Sequence, residues 1–140
     1  MIYFVSDTHL GGGKPEEARR VEDAFCRWID QVAPTASAIY LMGDIFDFWW
    51  EYRRVVPKGF TRLFGRLADL TRRGVEVHMF IGNHDMWCGD YLHQECGVVM
   101  HMRPEVISIG GRTLHLAHGD NMNIKGQPLL RLMNAGFRSS

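Results

Sequence analysis

Four short strings carry the residues that could do chemistry in this chain: Asp7-Thr8-His9, Gly43-Asp44, Gly82-Asn83-His84-Asp85 and His118-Gly119-Asp120. Each follows an apolar, strand-like run: Ile2 to Val5, Ala38 to Met42, Val75 to Ile81, and Thr113 to Ala117. From Asp7 to Asp44 to Asn83 to His118 the intervals are 37, 39 and 35 residues. Such a pattern puts oxygen donors and imidazoles at the carboxyl ends of several strands, where open α/β sheets place their sites. A mixture of Asp, Asn and His suits Mn, Zn or Fe better than Ca or Mg held by oxygen alone.

Taken singly, the strings are ambiguous. Asp7 and His9 lie two apart, which in extended backbone puts both side chains on one side. They can grip one ion, but a strand-end aspartate capping a loop gives the same string. Gly43-Asp44 is also an ordinary turn. As a ligand, Asp44 is the choice for the bridging position, because two carboxylate oxygens can bind two ions. The Asn83 carbonyl can ligate without adding charge. His84 can act as a general acid or stabilise developing charge, and Asp85 is expected to accept a hydrogen bond from that imidazole and fix its tautomer. A polar turn after a strand is the competing reading. His118 supplies a further imidazole, with Asp120 as a partner behind it. Together the strings describe an array able to hold two cations about 3.5–4 Å apart, activate a water and clamp a phosphate for in-line attack.

The elements that must position these residues can be read from hydrophobic periodicity. Residues 2–6, 38–42 and 75–81 are expected strands. Pro15-Glu16-Glu17 opens a helix whose stripe is Val21, Phe25, Trp28, Ile29 and Val32. Phe60, Leu63, Phe64, Leu67 and Leu70 form a second helix, closed by Arg72-Arg73-Gly74. This β-α-β-α-β order implies a parallel sheet with right-handed crossovers. A short helix is expected at 87–95, strands at 98–100, 104–109 and 112–117 with a turn at Gly110-Gly111, and a further amphipathic helix at 128–137.

Other features are expected to be structural. His78 reads as a packed or half-exposed strand residue, His93 and His101 as surface residues, and His115 as facing away from His118. Trp49 and Trp50 shape a groove or pack a long loop. Arg53, Arg54 and Lys58 meet an anion or form a solvated face.

Composition sets the outer bounds. The chain has 140 residues, 46% hydrophobic and 23% charged, with 16 basic and 16 acidic residues balancing to zero. One domain over 1–140 is expected, and nothing in the charge demands a nucleic-acid partner. Cys26, Cys88 and Cys96 are odd in number and hold no C-x-x-C pair, so reduced thiols in a cytoplasmic protein are expected. Asp7 ends the N-terminal apolar run, so no secretory leader is expected. No segment reaches the roughly 18–20 apolar residues of a membrane span, so any membrane contact would be made from the surface.

The four strings resemble those of the calcineurin-like metallophosphoesterases, whose motifs run D-x-H, G-D, G-N-H-D (or E), H and finally G-H-x-H. Within that group the chain is most similar to UDP-2,3-diacylglucosamine pyrophosphatases of lipid A biosynthesis. The supporting stretches are Ser6 to Gly11, Leu41 to Trp49, Phe80 to Asp85 and His118 to Asp120. The resemblance implies an α/β sandwich of two mixed sheets flanked by helices. It further implies hydrolysis of an acylated sugar nucleotide to UMP and a sugar phosphate by two divalent ions, Mn first and Zn or Fe as alternatives. By position, Asp7, His9 and Asp44 would hold one ion and Asp44, Asn83 and His118 the other, with His84 facing the phosphate. His84 stands where the better-known pyrophosphatases have arginine. Only 20 residues follow Asp120 and none is histidine. The resemblance therefore implies a chain that stops early, with a helical insertion starting at about 126–140 and the G-H-x-H motif missing. Action on another phosphodiester or phosphomonoester, and a metal-binding module without catalysis, are the rival readings.

Overall fold

The computed structural model describes residues 1–118. The expected helix at 128–137, the insertion and Asp120 lie outside the described residues. The elements are β1 Ile2–Val5, α1 Pro15–Val32, β2 Ala38–Met42, α2 Thr61–Arg72, β3 Glu76–Phe80, α3 Tyr91–Cys96, β4 Val99–His101, β5 Glu105–Ile109 and β6 Arg112–Leu116. Helix α1 starts on Pro15, with Glu16 and Glu17 in its first turn facing the positive end of the helix dipole. Phe25, Cys26, Ile29 and Val32 are its buried side, and Leu63, Leu67 and Leu70 are that of α2. Helix α3 begins at Tyr91, later than expected, with Asp90 at its N-terminal boundary.

Strands β1-β2-β3-β4 form a parallel sheet in sequence order, and β5-β6 form a separate antiparallel hairpin. Alternation assigns the two faces of the parallel sheet. Tyr3, Val5, Ile39, Leu41, Val77 and Met79 pack with the helices in one core. Ile2, Phe4, Ala38, Tyr40, Met42 and Phe80 pack in a second core with Ile107, Ile109, Leu114 and Leu116 of the hairpin. Crossovers of a single hand place successive helices on one face, which leaves the other face for the hairpin. Both faces are thus covered, and this explains why β2 is buried at every position. The expected sandwich is present as helices, parallel sheet and hairpin, each described sheet being of one strand sense. No helix among the described residues is long and apolar enough to cross a membrane.

One expectation is corrected in this second core. His101 is not a surface residue: its side chain is only 11% exposed and its ring stacks on Phe80 with centroids 4.4 Å apart. Its Nε2 lies 2.9 Å from His78 Nδ1 and its Nδ1 lies 2.8 Å from Glu105 Oε1. His78 stacks on Tyr40 and reaches Glu76 Oε2 at 3.3 Å through Nε2. The array Glu76–His78–His101–Glu105 therefore ties β3 and β4 to the start of the hairpin whose far end leads to His118. Burial, followed by the Glu76 and Glu105 carboxylates, pushes the Tyr40 phenol above its ordinary value. His101→Ala should cost about 1.5–3 kcal/mol, from the lost ring bonds and stacking. Hydrogen exchange would show it as faster exchange across β5 and β6; unchanged protection there would mean that the array does not hold the hairpin.

Candidate metal centre

Three loops meet beyond the carboxyl ends of β1, β2 and β3. The loop after β1 is laced to the loop after β2: Asp7 N–H donates to Gly43 O, His9 N–H to Asp44 O, and Leu10 N–H to Ile45 O, at 3.1, 3.0 and 2.8 Å. Asp7, His9 and Asp44 take φ of 55, 43 and 50°, in the left-handed region. Non-glycine residues are uncommon there, and such conformations persist only where neighbouring contacts enforce them. Gly43, at φ 90°, lets the chain turn beneath His118: a Cβ on it would lie 2.5 Å from His118 Nδ1.

Asp44 is the buried centre of this arrangement. Its Oδ1 accepts the His84 N–H at 3.0 Å, while its Oδ2 lies 3.3 Å from His118 Nε2 and 3.9 Å from His9 Nε2. Asp7 Oδ1 is also 3.9 Å from His9 Nε2. Two sets of potential ligand atoms converge: Asp7, Asp44 and His118 in one, His9, Asp44 and His84 in the other. Asp44 is common to both. Asn83 is exposed on the same loop as His84, and its amide makes no hydrogen bond among the described residues.

The donor set fits a cation. His118 Nδ1 lies 2.9 Å from the Met42 carbonyl, which can only accept, so this nitrogen carries the proton. Its Nε2 then presents a lone pair to the Asp44 carboxylate at 3.3 Å, two electron-rich atoms that need a positive charge between or on them. Ligands at about 2.0–2.2 Å from one metal ion lie roughly 3.0–3.5 Å from each other. A backbone carbonyl that fixes the tautomer of a metal-binding imidazole is a usual support for such a site.

Asp85 departs from the role expected of it. Its carboxylate is fully buried and does not receive the His84 imidazole. Oδ1 accepts from Gly82 N–H at 2.6 Å, and Oδ2 accepts from Ile45 and Phe46 N–H at 2.8 and 3.3 Å. It fastens the loop after β3 to the loop after β2. Burial pushes its carboxyl above the ordinary value, and the three N–H donors pull it back. Gly82 is tightly enclosed as well, since an added Cβ would collide with the Asp44 carboxylate and amide.

The imidazole of His84 is instead oriented by Asp47, a residue outside the four strings. His84 Nδ1 donates to Asp47 O at 2.8 Å. Asp47 Oδ1 lies 3.5 Å from His9 Nδ1 and 3.7 Å from His84 Nδ1. The two rings meet edge to face with centroids 4.6 Å apart. Asp47 thus stands behind both imidazoles and leaves each Nε2 for the centre. Its position three residues after Asp44 was the signal that could have marked it. The bond to the Asp47 carbonyl, with the nearby carboxylates, holds the His84 ring above the ordinary histidine value. Loss of a group behind a metal-binding histidine typically costs about 10–100-fold in metal affinity or activity. Asp47→Ala should weaken Mn binding within that range with the fold intact. Wild-type affinity, read by calorimetry, would exclude the Asp47 carboxylate from the centre.

Trp49 resolves to packing: it is fully buried, and its Nε1–H donates to Glu51 Oε2 at 3.0 Å. Trp50 is exposed, as are His93 and His115.

Known proteins share this chain's sequence and fold. It is 48% identical over 119 residues to the UDP-2,3-diacylglucosamine hydrolase of Porphyromonas gingivalis, a match covering 85% of this chain and 45% of that protein. With the protein of the same name from Hahella chejuensis the identity is 32%, covering 85% and 47%. The chain thus spans about half the length of the curated relatives it matches. The crystal structure of a protein of unknown function from Aquifex aeolicus shares the fold, with a TM-score of 0.53 at 17% identity, covering 98% of this chain and 72% of that one. The calcineurin-like phosphoesterase family matches residues 1–135, over motifs that the structure gathers at one edge of its parallel sheet, and the chain belongs to that family.

Proposed function

We propose that this chain carries the metal-binding half of a hydrolase that splits the pyrophosphate of UDP-2,3-diacylglucosamine into UMP and 2,3-diacylglucosamine 1-phosphate, a step of lipid A biosynthesis. The observation that carries the reading is the buried Asp44 carboxylate, which stands between Asp7 and His118 on one side and His9 and His84 on the other. Relatives named for this activity give the substrate. Asp7, His9, Asp44, Asn83 and His118 are the residues proposed to hold two divalent ions, with Mn favoured over Zn or Fe. When bound, such ions neutralise phosphate oxygens and lower the pKa of a water. His84, its Nδ1–H engaged by Asp47 O, presents Nε2 to the phosphate or the leaving group. Asp85 acts only by holding the loops. The proposed setting is the cytoplasm, with peripheral contact at the inner membrane and no nucleic-acid partner.

The test is turnover of a detergent-dispersed acylated UDP-sugar beside a generic phosphodiester, with Mn present and then removed by a chelator. Release of UMP that stops on chelation and returns with Mn supports the proposal. Hydrolysis of the phosphodiester alone would make the chain a phosphoesterase of different specificity. Metal binding without either reaction would make it a non-catalytic module.

A further inference from the structure

We propose that the loops at 48–55 and 86–87 form a docking face for an anionic lipid bilayer, built onto the rim of the metal centre. Large apolar side chains are concentrated there. Phe48 is 65% exposed and Trp87 61%, with Trp50, Tyr52, Val55 and Met86 also exposed. The backbones of Trp50 and Trp87 form a bridge, so the two loops present one surface. The ring of Trp50 stacks on that of Tyr52 with centroids 5.6 Å apart, and the Arg53 guanidinium sits 5.2 Å above Tyr52. Scattered exposed apolar residues need no explanation, but contiguous aromatic patches mark interaction sites. Trp and Tyr favour the boundary between headgroups and acyl chains, where one end of the ring is wet and the other apolar.

Charge selects among the occupants. Tyr52 and Val55 exchange backbone hydrogen bonds of 3.0 and 2.8 Å, which puts Arg53 and Arg54 at the tip of a tight turn. Lys58 follows, and the lone acid between 48 and 58 is Glu51. Its carboxylate is engaged by Trp49 Nε1–H, Gly89 N–H and Tyr91 N–H. The exposed charge of this stretch is therefore positive, although the chain as a whole is neutral. Cations beside exposed aromatics match anionic headgroups. A two-fold contact between copies through this patch would instead oppose the same arginines, a repulsive arrangement. Phe48 directly follows Asp47 and Met86 directly follows Asp85, so docking here would carry the centre to the bilayer surface. This deepens the proposed function by naming the partner of the rim, and it rests on that reading only for its purpose, because vesicle binding is read without turnover.

The test is co-sedimentation of the Mn-loaded chain with phosphatidylcholine vesicles, with and without phosphatidylglycerol, beside Arg53→Ala/Arg54→Ala and Trp50→Ala/Trp87→Ala variants whose folding is checked by thermal melts. Binding is expected only to the anionic vesicles and is expected to weaken with salt. The arginine pair should weaken it about 30-fold, at roughly 1 kcal/mol for each cation near the surface. The tryptophan pair should weaken it in a salt-independent way. No binding to anionic vesicles, or equal binding by all three proteins, would overturn the proposal. So would a concentration-dependent dimer removed by these substitutions, which would assign the face to a second copy. Capture of the dispersed acylated substrate without vesicle binding would also overturn it and make the patch an acyl-chain groove.

Discussion

Asp44→Asn is expected to abolish the proposed hydrolysis, by a factor on the order of a thousand or more, while the protein stays folded. The reason is geometric. Oδ1 and Oδ2 serve different neighbours, the His84 N–H on one side and the His118 and His9 imidazoles on the other. An amide keeps one acceptor and places an NH2 where a second ligand oxygen is required. It also removes the negative charge common to both ligand sets. Turnover of the acylated UDP-sugar at saturating Mn measures the effect. A variant that kept a tenth of wild-type turnover would show that Asp44 is not shared by the two sites.

Asp85→Asn should produce the largest loss of stability of any single isosteric change at the centre. The wild-type carboxylate accepts three backbone N–H groups with two oxygens. Asparagine offers one oxygen, and its NH2 must face an N–H whichever way it turns. Leaving a buried donor unsatisfied costs about 1–3 kcal/mol, and the opposed donor adds to that, so a loss of about 3 kcal/mol follows. Thermal unfolding should shift down by roughly 10 °C. Metal affinity should fall with it, because the bonds lost are those joining the loop of Asn83 and His84 to the loop of Asp44. A melting point within a degree or two of wild type would mean that this staple is not needed.

Much of the architecture was legible because the relevant signals are local. The runs of β1 and β2 are apolar on both faces, as a sheet covered on both sides requires. The stripes of α1 and α2 have helical spacing, and Pro15 and Gly74 mark a start and a stop. The polar strings at the ends of β1, β2 and β3 bring Asp7, His9, Asp44 and His84 together, because parallel strands in sequential order align their carboxyl ends; His118 arrives from the separate hairpin packed on the sheet's other face. What periodicity could not show was pairing across strands. His101 reads as a surface residue on a three-residue strand until the β3-β4 register sets Phe80 opposite it and His78 one strand away. Asp85 follows an imidazole in the sequence, yet its side chain turns inward to meet amides 39 and 40 residues away. Asp47 contributes a backbone carbonyl as well as a carboxylate, and no residue pattern advertises a carbonyl.

The shared carboxylate is the centre of this account, and electron paramagnetic resonance of the chain titrated with Mn tests it most directly. Two Mn ions about 3.5–4 Å apart and bridged by Asp44 should give an exchange-coupled signal that saturates near two ions per chain and is absent from Asp44→Asn. An uncoupled six-line Mn spectrum at every loading, or a coupled signal that survives in Asp44→Asn, would contradict it.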